Sequence, residues 1–111
     1  MDIVDRPSPN FGARRGGATP DLIVLHYTAM DSAESALERL CDLEAEVSAH
    51  YLIGKDGTLY RLVEEKHRAW HAGDGSWAGH DDVNSCSLGI ELDNDGASPF
   101  AEPLMTTLEA V

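Results

Sequence analysis

Two short apolar runs, each carrying a single ionisable side chain, constrain this chain more than anything else in it. Leu22 to His26 (LIVLH) has the β-branched, apolar composition of a buried central strand, and it ends on a histidine. Ser87 to Leu92 (SLGIEL) is a second such run, with Gly89 leaving room for a close neighbour and Glu91 set between Ile90 and Leu92. Side chains alternate along a strand, so Glu91 points away from its two apolar neighbours. On a sheet covered on both faces that charge is costly unless it is paired or near a metal. On an antiparallel sheet with one wet face it would simply be solvated. A histidine at a strand end lies where a sheet opens into a cleft, a usual place for ligand and catalytic groups; a core histidine bonded to a backbone carbonyl is the competing reading.

The stretches between these runs supply the other elements. Asp31 with Glu34 fits an acidic capping box, and the apolar spacing after it predicts a helix from about Ser32 to Ala45. His50 to Ile53 and Thr58 to Val63 are β-rich and joined by Gly54-Lys55-Asp56-Gly57, which predicts a hairpin. Glu64 to Asn84 carries Trp70, Trp77, His67, His71 and His80 with no regular period, and a long loop so rich in aromatics reads as functional. Pro103 opens a helix in which Leu104, Met105, Leu108 and Val111 share a face; it has no carboxyl-terminal cap, and the sequence reads as cut in mid-helix. Residues 1–21, rich in Pro, Gly and Arg, read as an irregular amino-terminal arm pinned by Phe11. The order strand, helix, hairpin, loop, strand, helix predicts an α/β fold, a mixed central β-sheet with flanking helices, in which residues 22–111 form the amino-terminal part of one domain.

Composition narrows the partners. A net charge of −12 argues against a protein that grips nucleic acid or an anionic membrane through its general field. Cys41 and Cys86 do not make a disulfide framework. The start of the sequence lacks the basic and apolar segments of a signal peptide, and no apolar run is long enough to span a bilayer, so a cytoplasmic protein is expected.

His67 and His71 lie four apart, the spacing of two zinc ligands on a helix, but the residues between them lack the glutamate of an HExxH motif and glycines follow closely. Trp70 and His71 are better read as a wall of a binding cleft. His50 and His80 have no partner at ligand spacing and are expected to be structural.

Four stretches together, IVLHYT, VSAHYLIGKDGTLYRLV, RAWHAG and NSCSLGIEL, resemble the N-acetylmuramoyl-L-alanine amidases of the type-2 class, related to phage lysozyme-type amidases and to peptidoglycan recognition proteins. The arm SPNFGARRGG is similar to the opening of the cytoplasmic branch of that family. The resemblance implies a Zn2+ site with His26 as a metal ligand, Glu91 as the catalytic acid–base residue, and Trp70 and His71 as substrate-binding residues. It implies peptidoglycan fragments, muropeptides, as partners. The family's other two ligands and a lysine that helps hold the oxyanion come from a carboxyl-terminal GH…D/C segment that this sequence does not contain, so the 111-residue chain alone is expected to be inactive. A non-catalytic muropeptide-binding module is the alternative.

Overall fold

The computed structural model describes residues 3–17, 19–72, 82–97 and 99–111. In chain order the elements are β1 (Ile3–Asp5), β2 (Phe11–Ala13), β3 (Leu22–Tyr27), α1 (Ala33–Leu40), β4 (Tyr51–Ile53), β5 (Leu59–Arg61), β6 (His67–Ala69), α2 (Val83–Cys86), β7 (Ser87–Leu92) and α3 (Glu102–Ala110). Five strands form one sheet in the order β1-β5-β4-β7-β3, and β2 pairs with β6 in a separate two-stranded sheet. β3 and β4 both run parallel to β7, whereas β5 is antiparallel to β4, so the sheet is mixed with helices against it, as expected.

Alternation along β4 divides the interior in two. Leu52 faces α1 and joins Ala36, Leu37, Leu40, Leu62, Val63 and Ala69. Ile53 faces α3 and joins Leu59, Ile90, Leu92 and Leu104. The hairpin between β4 and β5 turns at Gly57, whose φ of 90° suits glycine, and a Cβ there would lie 3.0 Å from Pro103 O and Thr107 Oγ1. The same turn therefore seats α3, and Thr107 Oγ1 donates to Gly57 O at 2.6 Å.

Four expectations change. β3 is not central: among the described residues it is the edge strand beside β7, with Ile23, Leu25 and Tyr27 exposed on one face. The helix after it is capped by Ser32, not Asp31, because Ser32 Oγ is the oxygen that accepts from Ser35 N; the α-helix ends at Leu40 and a 3-10 turn, Leu43–Ala45, follows. On α3, Leu104 and Thr107 are buried while Met105 and Val111 are exposed. A helix lying on a sheet buries a face set by its tilt, and here a threonine that reaches the hairpin turn replaces Met105 on that face.

The arm is not irregular. β1 lies parallel on β5 and β2 antiparallel on β6. Between them Asn10 is fully buried, its Nδ2 donating to Asp42 O and Val47 O at 2.8 Å each. Arg14 follows, its guanidinium donating to Ser85 O at 2.9 Å, Ser87 O at 3.0 Å and Glu65 O at 2.8 Å. Phe11 does anchor the arm, stacking on His67 at 4.6 Å between ring centroids. Strands of three residues paired with distant partners leave no local period to detect.

Candidate active site

β3 and β7 pair in parallel with His26 opposite Glu91. Partners across a parallel ladder share a face, and here it is the α1 face, because Leu52 of that core is Glu91's partner on the other side. Glu91 Oε2 is buried without a hydrogen-bond partner. Burial pushes its carboxyl up to about 7, against a smaller lowering by the Arg39 guanidinium. Burial also holds His26 below the usual imidazole range.

His71 joins these two from a part of the chain that local pattern does not connect to them. The chain leaves β6, and His71 N and Ala72 N both donate to Asn84 Oδ1, at 3.0 and 2.8 Å. That places the His71 ring over Gly89 of β7, so close that a Cβ at Gly89 would lie 2.4 Å from His71 Cγ. Nδ1 of His71 then lies 3.2 Å from His26 Nε2, and its Nε2 lies 2.9 Å from Ser87 Oγ. Burial, with His26, His50, Arg14 and Arg68 around it, pushes His71 down to about 3, so the ring is neutral at ordinary pH.

The cleft above this cluster is lined by Thr28, Met30, Arg39, Trp70, His71 and Glu91, among others. Trp70 is fixed by its backbone, which donates to Ser48 Oγ at 2.9 Å and accepts from Ser48 N at 2.8 Å, leaving the indole half-buried at the cleft. Of the residues singled out from sequence, Trp70, His71 and Glu91 share this cleft, and His26 touches it through His71.

The other histidines separate from it. His50 is fully buried; its Nδ1 accepts from Gly89 N at 3.0 Å and its Nε2 donates to His67 O at 2.9 Å, the structural role expected of it. His67 and His71 are not on a helix, since His67 begins β6 and stacks on Phe11. His80 and Trp77 lie outside the described residues. Sequence reading missed Asn84, Ser87 and Arg14. Only the first two carried any signal, as small polar residues just before and at the start of the SLGIEL run.

Among the described residues no three His, Cys, Asp or Glu side chains are grouped closely enough to hold a metal ion. The cluster nonetheless offers donors of the kind zinc takes: the imidazole of His26 and, beside it, a buried carboxylate oxygen with no partner of its own. The His26 imidazole fits one position of a zinc shell, with the Glu91 carboxylate beside it.

A crystal structure of a selenomethionine AmpD derivative superposes with a TM-score of 0.87 at 28% identity, covering 99% of this chain and 71% of that one, which fixes the architecture as that of a mixed α/β amidase fold. Residues 16–111 match the family described as N-acetylmuramoyl-L-alanine amidase, and the chain belongs to that family. The chain is 42% identical over 83 residues to N-acetylmuramoyl-L-alanine amidase AmiD of Escherichia coli, covering 68% of this chain and 29% of AmiD. It is 30% identical over 122 residues to 1,6-anhydro-N-acetylmuramyl-L-alanine amidase AmpD of Escherichia coli, covering 95% of this chain and 67% of AmpD. No helix among the described residues is long and apolar enough to cross a membrane.

Proposed function

We propose that this chain forms part of a zinc-dependent amidase that hydrolyses the amide between the lactyl group of N-acetylmuramic acid and L-alanine in muropeptides. The observation that carries the reading is Glu91, half-buried with one buried, unpartnered oxygen, raised to about 7, lining the cleft and set directly across from His26. A general base works best with a pKa near the operating pH, and Glu91 meets that condition. Glu91 takes the proton of the attacking water and returns it to the leaving amine of L-alanine. Trp70 offers a flat apolar face for the sugar or peptide. His26 would hold the zinc, which, when bound, lowers the pKa of water and polarises the amide carbonyl. AmpD's name specifies a 1,6-anhydro sugar, and its match along 95% of this chain favours anhydro-muropeptides as the substrate.

The test is made on the polypeptide as the cell produces it, with zinc content and hydrolysis of an anhydromuramyl peptide as readouts. Release of a peptide with a free L-alanine amino group is expected. His26→Ala should lose both zinc and hydrolysis; equal zinc content in variant and parent would remove His26 from the metal site. A muropeptide-binding module is the second reading, since the cleft lined by Trp70 and His71 could hold a ligand without cleaving it. Binding without cleavage at saturating zinc would decide for it.

A further inference from the structure

Both ring nitrogens of His71 are engaged by protein groups, and the order of those contacts fixes where the protons lie. Ser87 Oγ is 2.6 Å from Val83 O, and a carbonyl can only accept, so the single hydroxyl proton points there. The lone pairs of Ser87 Oγ then face His71 Nε2 at 2.9 Å, and the proton of that contact must sit on Nε2. A neutral imidazole carries one N–H, which leaves His71 Nδ1 bare and facing His26 Nε2 at 3.2 Å. His26 must supply the proton there. Its own Nδ1 is then the unprotonated nitrogen, the form in which imidazole binds a metal.

We propose that Ser87 and His71 are positioning residues for His26: the hydrogen-bond chain from Val83 C=O through Ser87 and His71 holds His26 as its Nε2–H tautomer and presents Nδ1 as the metal-binding nitrogen. This rests on the reading that His26 is a metal ligand, and it gives His71 a role behind the ligand as well as in the cleft wall. Metal-bound histidines are commonly oriented by a partner on the far nitrogen. Here that partner is itself fixed in tautomer by a serine. Two further features serve the chain. Gly89 has no Cβ to block the ring, and Asn84 Oδ1 fixes the His71 backbone.

The test uses the polypeptide as the cell produces it, labelled with 15N-histidine at neutral pH and stripped of metal by a chelator, and reads each tautomer from two-bond 1H–15N spectra. His26 and His71 should both be Nε2–H, with a scalar coupling between His26 Nε2 and His71 Nδ1 across their hydrogen bond. Ser87→Ala removes the acceptor of His71 Nε2–H. It should move that proton to Nδ1 and flip His26, with which Ser87 shares no hydrogen bond, to the Nδ1–H form. His71→Ala should release His26 to a mixture of tautomers, and His71→Asn, whose Oδ1 replaces the accepting Nδ1, should restore Nε2–H. An Nδ1–H tautomer of His26 in the unmutated chain overturns the proposal, as does a Ser87→Ala chain with a native amide spectrum and an unchanged His26. The measurement on the unmutated chain stands whether or not the variants fold. Since no metal is present at any step, failure here is distinct from failure of the zinc reading, which His26→Ala tests by metal content.

Discussion

His26 and Glu91 are register partners on adjacent parallel strands, 65 residues apart in the chain and side by side on one face of the sheet. A proposed base and a proposed metal ligand are thereby held opposite each other on neighbouring strands, so their separation is set by the spacing of strands and not by a loop.

Glu91→Gln keeps the shape of the side chain and removes its proton chemistry. Turnover in the cell-produced polypeptide should fall by about 10²- to 10⁴-fold with zinc content unchanged. Steady-state kinetics beside metal analysis checks this. Turnover within a few-fold of the parent would assign the base to another group.

The same carboxyl makes stability depend on pH. Its folded value, about 7, stands above its ordinary 4.5, so the folded chain binds the proton more tightly than the unfolded one. Its contribution is therefore greatest below about pH 4.5 and is lost as pH rises through 7, a decline on the order of 2–3 kcal/mol in the metal-free chain. Glu91→Gln should flatten the slope and melt higher than the parent near about pH 8. Urea titrations with chelator across that range give the slope, and parallel curves for the two chains would mean that Glu91 is solvated.

Trp70 is tied into the fold by its backbone, through Ser48, while its indole stands half-buried at the cleft. Trp70→Ala should weaken anhydro-muropeptide affinity by about 10-fold or more, in line with loss of one aromatic face, and lower the melting temperature only slightly. Calorimetric binding and thermal melts separate the two effects. A collapsed melting temperature with unchanged affinity would make Trp70 a core residue.

Asn10 sits in the arm with Nδ2 shared between Asp42 O and Val47 O. Asn10→Ala takes the donor from Val47 O, while Asp42 O still accepts from Ala45 N at 3.1 Å, and it also removes the unpartnered Asn10 Oδ1, so the net loss should be about 1–2 kcal/mol. Denaturant unfolding measures it. A change below about 0.5 kcal/mol would mean that the arm is dispensable.

What could be read without coordinates was whatever local pattern or motif encodes. The Asp-Gly signal marked the hairpin, the apolar run around Glu91 marked β7, and four motifs together marked the amidase family. His50 was legible as structural because nothing lay at ligand spacing from it. Local pattern could not show that β3 is the edge strand among the described residues, since an edge strand and a central one differ in their neighbours more than in their own residues. Nor could it show the three-residue strands of the arm, whose pairing with β5 and β6 crosses more than fifty residues.

The sequence by itself determined the inventory: a strand-borne histidine, a strand-borne glutamate, a glycine between apolar residues and a tryptophan–histidine pair. Only the tertiary structure decided how these meet. Parallel pairing of β3 with β7 brought His26 beside Glu91, and the missing Cβ of Gly89 let the His71 ring settle over the strand between Ser87 and His26. Such contacts depend on the relative placement of separate backbone segments, which the packed core fixes and which no period in a single segment records.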